Sequence, residues 1–230
     1  MNYQHIRPAI FLERPNRFIA RCLEGEREVT AHVKNTGRCR ELLLPGAQVW
    51  LEYATNVSRK TPCDLVAVQK GELLINMDSQ APNKVALEGL RSGRVVLPGF
   101  GVPQEVYPER TFGGSRFDFA VKNGEREGFV EVKGVTLERD GAVFFPDAPT
   151  LRGVRHIEEL EQAAAQGYDA YVLFIVQLRP ARYLAPNDET QPAFGAALRH
   201  AQAHGVHLLA YDCFVTPEAM EIGEAVPIRL

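Results

Sequence analysis

The 230-residue sequence lacks any long hydrophobic run. A helix that spans a bilayer needs about 20 consecutive apolar residues, whereas the longest apolar run here, Ala170–Val176, has the length of one strand. The N-terminal segment contains no extended apolar core and no small-residue cleavage site, so it does not have the pattern of a secretory signal. We therefore expect a cytoplasmic protein without a membrane anchor.

The sequence also has few cysteines and no net positive charge. The four cysteines form no C-x-x-C pair and no histidine lies at zinc-ligand spacing from them, so we expect reduced structural thiols. The net charge of −3 is opposite in sign to the positive coat of a histone-like protein. An acidic protein still binds phosphate where its carboxylates hold divalent cations. Such a protein would then have to contact a nucleic acid through small groups of basic residues rather than through an overall positive surface.

The first part of the chain has the pattern of a small β-domain. Short runs of alternating or β-branched residues are separated by glycine and proline, which predicts five strands. These are Phe18–Leu23, Glu28–Val33, Gln48–Tyr53, Asp64–Gln69 and Glu72–Asn76. Five short strands suggest a closed barrel of the OB-like or the SH3-like kind, and OB barrels commonly bind oligonucleotides. We assign residues 1–82 to this domain.

The pattern changes after Pro82-Asn83 to alternating helices and strands, which predicts a second domain, 83–230, with a mixed sheet flanked by helices. The predicted order is helix Val85–Leu90, strands Ser115–Val121, Gly128–Val135 and Ala142–Phe145, helix Arg152–Gln166, strand Ala170–Gln177, helix Pro192–His204 and strand Val206–Tyr211. A turn at Asn123-Gly124 allows the first two of these strands to pair as a hairpin.

Three charged side chains interrupt the apolar strands of that hairpin. Asp118 lies between two phenylalanines, while Glu131 and Lys133 alternate and so share one face of their strand. Pairing of the strands would bring Asp118 beside Glu131. Two half-buried carboxylates are costly unless a cation compensates them. We therefore predict a site for Mg²⁺ or Mn²⁺, with both carboxylates and the backbone carbonyl of Val132 as ligands.

This constellation is typical of phosphoryl chemistry. A divalent cation would activate an attacking water and neutralise charge on the phosphoryl oxygens, and Lys133 would hold that water or the developing charge. Glu109, nine residues before Asp118, is a candidate for an additional metal ligand or an ordinary surface carboxylate. A Glu-x-Lys pair on a strand also occurs as a solvated ion pair, and that interpretation stays open here.

Candidate contacts to nucleic acid fall into two groups. A polar barrel loop around Gly37 suits contact to backbone phosphates, although it could equally be a solvated loop. Arg152 and His156 are four residues apart on one helix face, beside a helix start that attracts anions, although a capping network would look the same. With Arg116 near Asp118, the predicted contacts are His32, Lys34, Asn35, Arg38, Arg40, Arg116, Arg152 and His156.

The sequence resembles the sugar fermentation stimulation protein (SfsA) family along nearly its whole length. The matching segments are His32 with Asn35-Thr36-Gly37-Arg38, Glu41-Leu42-Leu43-Leu44-Pro45-Gly46, Asn76-Met77-Asp78-Ser79-Gln80, Pro82-Asn83, Ser115-Arg116-Phe117-Asp118-Phe119, Glu131-Val132-Lys133-Gly134-Val135-Thr136-Leu137 and Phe145-Pro146-Asp147-Ala148-Pro149-Thr150 with Arg152-Gly153 and His156. The last segment is the most distinctive.

The resemblance implies an N-terminal OB-like domain and a C-terminal restriction-endonuclease-like domain of the PD-(D/E)xK kind. Asp118, Glu131 and Lys133 would fill the nuclease triad, with Phe117 in place of the proline that names the motif. The resemblance further implies DNA binding with little sequence preference and a link to sugar (maltose) metabolism.

Three functions are compatible with these observations. The first is an Mg²⁺-dependent nuclease acting on DNA or RNA, and the second is a non-catalytic DNA-binding regulator of sugar metabolism on a nuclease scaffold. The third, an enzyme acting on a sugar or another small molecule, is disfavoured because the sequence has no loop for a nucleotide cofactor. The complete Asp, Glu and Lys set favours the first.

Overall fold

Five strands at the start of the chain form a closed barrel in the computed structural model, which describes residues 1–35, 37, 39–55 and 59–230. The strands are β1 Ile6–Asn16, β2 Ile19–Glu24, β3 Arg27–Val33, β4 Gln48–Tyr53 and β5 Cys63–Lys70. β1 pairs with both β2 and β4, and a parallel pairing of β3 with β5 closes the ring. The predicted barrel is thereby confirmed, and this ring order is that of an OB barrel.

The identity of one barrel strand differs from the sequence prediction. The first strand is Ile6–Asn16, and β6, Leu73–Asn76, lies outside the ring, where it pairs antiparallel with β5. β1 is not predicted because Pro8, Pro15 and several charged residues interrupt its alternation, and proline normally argues against a strand. Its inward residues Ala9 and Phe11 are nevertheless almost fully buried.

The second part of the chain forms a six-stranded mixed sheet, as predicted. Its order is β15-β14-β12-β9-β8-β7, with β9, β12 and β14 parallel and the outer strands antiparallel. The strands are β7 Glu105–Phe112, β8 Ser115–Asn123, β9 Arg126–Val135, β12 Asp169–Val176, β14 Val206–Val215 and β15 Met220–Ala225. Both edge strands, β7 and β15, are additions to the predicted set. Pro108 and exposed charged residues interrupt β7, and β15 has only two large apolar residues, Met220 and Ile222.

Helices cover both faces of this sheet. α1, Ala81–Ser92, packs its buried residues on one face, and α2, Leu151–Ala165, packs with α3, Pro192–Ala203, on the other. α1 is longer than the predicted Val85–Leu90, since Pro82 is tolerated in the first helical turn. No helix of the described residues is long and apolar enough to cross a membrane.

A small sheet and a polar joint connect the two parts. The sheet consists of β10 Leu137–Arg139, β11 Ala142–Phe145 and β13 Tyr183–Pro186. At the joint, the side-chain amide Nε2 of Gln177 donates to the carbonyl oxygens of Asn76 at 3.2 Å and Asp78 at 3.1 Å. The backbone N–H of Asn76 donates in return to the carbonyl of Gln177 at 2.9 Å. These bonds join the end of β6 to the end of β12.

Candidate active site

Asp118 lies where the β8–β9 hairpin opens. The last residue pair of the ladder is Phe119 with Val130, and the strands are no longer paired beyond it. The Asp118 carboxylate enters this opening, where Oδ2 accepts the backbone N–H of Val132 at 2.8 Å. Its second oxygen, Oδ1, accepts Nδ2 of Asn83 at 2.7 Å. The carboxylate is therefore held from both sides, by β9 and by α1.

Glu131 is buried, with only 4% of its surface exposed, yet only one of its two oxygens is bonded. Oε1 accepts Nζ of Lys133 at 2.6 Å and faces Nδ1 of His156 at 2.5 Å. Oε2 has no hydrogen-bond partner among the described residues. A buried carboxylate oxygen without a partner costs free energy, so this oxygen is a candidate ligand for a cation.

The two carboxylates differ in their electrostatics. Burial, together with the charge of Glu131, raises the pKa of Asp118 above its ordinary value. Burial also acts to raise the pKa of Glu131, but the hydrogen bonds from His156 and Lys133 and the positive charge of Lys133 outweigh it, and the pKa lies below its ordinary value. Glu131 is thus held ionised, whereas the charge of Lys133 and the hydrogen bonds to Asp118 do not fully offset the burial of Asp118 and the charge of Glu131.

His156 belongs to this cluster as a positioning residue. It is 4% exposed on the first turns of α2, and its Nε2 accepts Nε of Arg152 at 3.2 Å. Because an arginine nitrogen only donates, Nε2 carries no proton and the proton is on Nδ1, which donates to Glu131. This geometry departs from the predicted nucleic-acid contact, since the ring faces the sheet rather than solvent. Arg152 is exposed at the start of α2, as the sequence indicated.

The start of α2 is fixed by local capping. Thr150 is the N-cap, and its Oγ1 accepts the backbone N–H of Gly153 at 3.0 Å. Such a cap stabilises a helix start by roughly 1 kcal/mol. The cap thereby fixes the turn that carries Arg152 and His156, and His156 contacts Glu131 of the carboxylate cluster.

The cluster suits a hard divalent cation. Mg²⁺ and Ca²⁺ prefer oxygen ligands, and the cluster offers an unpartnered buried oxygen of Glu131 and a second carboxylate whose pKa is raised. Within the described ranges, no further His, Cys, Asp or Glu forms with Asp118 and Glu131 a set of ligand atoms within 4.8 Å of one another. The remaining ligands would come from water, the backbone or substrate. The Val132 carbonyl keeps its predicted role as a candidate among them.

Glu109 and Arg116 form an ion pair on β7 and β8, with Arg116 Nη1 3.4 Å from Glu109 Oε2 and both side chains more than half exposed. Glu109 lies opposite Asp118 on the neighbouring strand. Among the described residues, however, its carboxylate does not form a set of close ligand atoms with those of Asp118 and Glu131. Arg116 remains an exposed cation available for contact with a phosphate.

Lys34 and His32 occupy an acidic cluster on the barrel rather than a free surface. The Lys34 ammonium lies 3.2 Å from Asp64 Oδ2 and 3.4 Å from Asp78 Oδ2, and it is 19% exposed. His32 Nδ1 lies 3.3 Å from Asp64 Oδ1. Burial acts to lower the pKa of Lys34, but these carboxylates outweigh it and the net direction is upward. Both side chains therefore already have carboxylate partners on the barrel, which leaves them less available for the predicted phosphate contacts.

The rest of the barrel loop reaches towards α2. The side-chain oxygen of Asn35 accepts the backbone N–H of Gly37 at 2.8 Å, so Asn35 shapes the loop instead of projecting from it. A Cβ on Gly37 would come within 2.0 Å of Oδ2 of Asp147, so the loop is in close contact with the segment before α2. Arg40 is exposed beside a surface groove, and Arg38 and Thr36 lie outside the described residues.

Asn83 is a site residue that the sequence prediction does not include. In the sequence it marks only the start of the second domain, although an amide directly after Pro82, in the first turn of α1, is a usable signal. The hydrogen bond to Asp118 at 2.7 Å shows that α1 contributes to the cluster.

The comparisons with known proteins agree over the whole chain. A domain family described as "Sugar fermentation stimulation protein RE domain" matches residues 80–219, and "SfsA N-terminal OB domain" matches residues 12–77. A "Sugar fermentation stimulation protein homolog" of Desulfitobacterium hafniense strain Y51 is 53% identical, covering 100% of this chain and 99% of that protein. Its counterpart in Ruminiclostridium cellulolyticum is 46% identical, covering 100% of both chains.

A solved structure has the same architecture. It is described as "The structure of Pyrococcus Furiosus SfsA in complex with Ca2+" and superposes with a TM-score of 0.89 at 26% identity, covering 100% of this chain and 98% of that one. The barrel, the mixed sheet and the two family matches are thus consistent with one another. The chain belongs to the sugar fermentation stimulation protein family.

Proposed function

We propose that the protein is a nuclease that depends on Mg²⁺ or Mn²⁺ and cleaves DNA, or RNA, with little sequence preference. The observation that carries this proposal is the unpartnered, buried Oε2 of Glu131, which lies in a cluster with Asp118 and Lys133. The Pyrococcus furiosus protein, whose structure is described as a complex with Ca²⁺, supports it, because Ca²⁺ and Mg²⁺ both prefer oxygen ligands.

Asp118 and Glu131 would hold the cation. When bound, a divalent cation neutralises charge on a phosphoryl group and increases the acidity of water. The chain's own contribution is preorganisation: Val132 and Asn83 orient Asp118, and His156 engages one oxygen of Glu131 so that the other stays available. Hydrogen bonds of this kind fix the orientation of a metal-binding side chain, and their loss commonly weakens metal affinity about 10- to 100-fold.

Lys133 would act on the scissile phosphate. Its ammonium is 13% exposed and 2.6 Å from Glu131 Oε1, so it is already oriented within the cluster. A preorganised cation of this kind stabilises negative charge that develops in the transition state more than charge in the ground state. Lys133 should therefore affect the rate of cleavage more than the affinity for nucleic acid.

Exposed arginines would supply contacts to the nucleic-acid backbone. Arg152 lies on α2 beside His156, Arg116 lies on β8 near Asp118, and Arg40 lies on the barrel loop that approaches α2. Phosphate contacts position a nucleic acid without reading its sequence. The small number of such cations on a chain with net charge −3 predicts modest affinity that weakens with salt.

The test combines binding and single-turnover cleavage on the same preparations. Wild type is incubated with single- and double-stranded DNA and with RNA, in Mg²⁺, Mn²⁺ and chelator. Asp118→Asn and Lys133→Ala should abolish cleavage and leave most of the affinity. Lys122→Ala is the matched control, because it removes a lysine of an exposed ion pair with Glu127 on the same hairpin.

A second function follows from the opposite outcome. If wild type binds DNA but cuts neither DNA nor RNA with either metal, the nuclease proposal is wrong. The protein would then be a non-catalytic DNA-binding regulator on a nuclease scaffold, and the link to maltose metabolism implied by the family resemblance would act through binding. Cleavage by Lys133→Ala at the wild-type rate would leave a nuclease but remove the role assigned to Lys133.

A further inference from the structure

A second group of metal-ligating side chains lies on the outer side of the helical layer. Glu161 belongs to α2, His200 to α3, and His204 is the C-cap residue of α3. Each offers a ligand atom, and these atoms lie within 4.8 Å of one another. The group is formed by different helices and shares no residue with the Asp118 and Glu131 cluster.

The helix periodicity explains why the two histidines meet. Residues four apart lie on the same face of a helix, and the rings of His200 and His204 stack with centroids 4.1 Å apart and planes 26° apart. α2 packs beside α3, which places Glu161 Oε2 2.8 Å from Nδ1 of His200. Two imidazoles and one carboxylate therefore converge at the surface.

The hydrogen bonds define which ring nitrogens remain free. Nδ1 of His204 lies 2.7 Å from the backbone carbonyl of His200, and a carbonyl oxygen only accepts. The proton of neutral His204 is therefore on Nδ1, and its Nε2 carries the lone pair that a metal needs. Anchoring of the other ring nitrogen in this way is common at histidine metal ligands. Nδ1 of His200 lies 2.8 Å from Oε2 of Glu161, a separation that suits two adjacent ligands of one ion, so His200 would bind through Nδ1 once the ion replaces the shared proton.

The simplest alternative is an ordinary surface contact. An exposed Glu161–His200 pair contributes about 0–1 kcal/mol and requires no ion. That alternative accounts for two of the three residues but not for His204, whose Nδ1 is anchored and whose ring lies against that of His200. A dication held between the histidines and the carboxylate would use all three.

We propose that Glu161, His200 and His204 bind one transition-metal dication of the Zn²⁺ or Ni²⁺ class and brace α2 against α3. Imidazole nitrogen suits these ions, while Mg²⁺ and Ca²⁺ prefer oxygen. The exposure of both histidines leaves the remaining coordination positions to water. The four cysteines are buried and reduced, so thiols do not compete for such an ion.

The site would act on the helix that supports the candidate active site. Glu161 follows His156 by five residues on α2, a distance of about 7.5 Å at 1.5 Å per residue. His156 holds Glu131 at one end of that helix, and the proposed ion would hold the other half to α3. Because the ion would bind the folded state and not the unfolded chain, metal binding should raise the free energy of unfolding.

The experiment is calorimetric titration of the full chain with Zn²⁺ and, separately, Ni²⁺, in buffer containing saturating Mg²⁺. Wild type should bind one ion and show a higher Tm with it. His200→Ala and His204→Ala should each weaken binding by at least about 100-fold, and Glu161→Gln by about 10-fold, by analogy with the losses seen when ligand supports are removed. Each should lose the rise in Tm.

Two controls separate this site from the other one. His207→Gln removes an exposed histidine outside the group and should bind like wild type. Asp118→Asn should also retain the ion, because its carboxylate belongs to the other cluster. Equal binding by wild type and by the His200→Ala/His204→Ala double variant would overturn the proposal, as would loss of the ion in Asp118→Asn alone. Circular dichroism of the metal-free variants verifies that they fold.

Discussion

Nδ1 of His156 lies 2.5 Å from Oε1 of Glu131, although the two residues belong to different layers of the domain. The contact joins the first turns of α2 to the central strand β9. It accounts for the ionised state of Glu131 and for the availability of its other oxygen. His156 is thus the residue through which the helical layer controls the geometry of the carboxylate cluster.

Replacement of His156 should affect both stability and activity. His156→Ala removes a donor from a buried carboxylate, which costs about 1–3 kcal/mol, and it should lower cleavage through weaker metal binding. His156→Gln retains an N–H donor and should recover part of both losses. Urea unfolding and single-turnover cleavage measure the two effects, with His207→Gln as the surface control. A variant with unchanged metal affinity would contradict the positioning role.

The raised pKa of Asp118 predicts a pH dependence of stability in chelator. The folded protein binds this proton more tightly than the unfolded chain, so the free energy of unfolding should fall as pH rises from about 3.9, the ordinary aspartate value, through the raised pKa. Asp118→Asn lacks this titration. The unfolding free energy of the variant minus that of wild type should therefore increase over this window and then become constant.

Mg²⁺ should reverse that effect in wild type, because the cation compensates the charge that Asp118 carries above its pKa. Chemical unfolding at a series of pH values, with and without Mg²⁺, measures both trends. A difference between variant and wild type that does not change with pH would show that Asp118 has no raised pKa.

Gly37 should not tolerate a side chain. A Cβ there would come within 2.0 Å of Asp147 Oδ2 and 2.9 Å of Asn35 Oδ1, so Gly37→Ala should cost about 1–3 kcal/mol through crowding. Gly114→Ala is the control, because its Cβ would meet only Glu159 Oε1 at 3.3 Å. Thermal unfolding measures both changes.

A double-mutant cycle tests the contact itself. If the Asp147 carboxylate is the group that Gly37→Ala displaces, the loss in Gly37→Ala/Asp147→Ala should be smaller than the sum of the single losses. Additive losses would show that the two segments do not restrain each other.

Lys34 and Arg40 should separate stability from nucleic-acid affinity. Lys34→Ala leaves Asp64 and Asp78 without one of their cations and should cost about 3 kcal/mol of stability, while the DNA affinity of the folded protein stays unchanged. Arg40→Ala should leave stability unchanged and lower affinity for unrelated sequences equally. The slope of log affinity against log salt should decrease by about 0.9 for one lost phosphate contact. Fluorescence anisotropy at several salt concentrations, with thermal unfolding, measures both.

Much of the architecture was predictable from local pattern. The four barrel strands β2 to β5, the β8–β9 hairpin, the buried strand β12 and the helices α2 and α3 all follow from alternation, apolar runs and glycine or proline at their ends. β1 and the edge strands β7 and β15 were not predicted. β1 and β7 each contain proline, which argues against a strand. β15 is short and has few large apolar residues, so its local sequence gives too weak a strand pattern, and its burial depends on the neighbouring strand.

The candidate cluster was predictable only in part. The spacing of Glu131 and Lys133 on one strand and the turn before them were sufficient to expect Asp118 nearby, because strand periodicity determines which side chains share a face. The roles of Asn83 and His156 could not be predicted in this way. Both residues lie on helices packed on the sheet, and no local pattern specifies which side chain a helix directs at a given strand residue.

The sequence by itself therefore determined the order of elements, the composition of the carboxylate pair and the family resemblance. Tertiary structure alone decided which polar groups became internal. Lys34 and His32 looked like surface residues in the sequence, yet folding brings Asp64, distant in the chain, to within 3.2 Å of Lys34 and 3.3 Å of His32, and brings Asp78 to within 3.4 Å of Lys34. Charge–charge contacts of long sequence separation depend on the packed arrangement of strands and helices, and local periodicity carries no information about them.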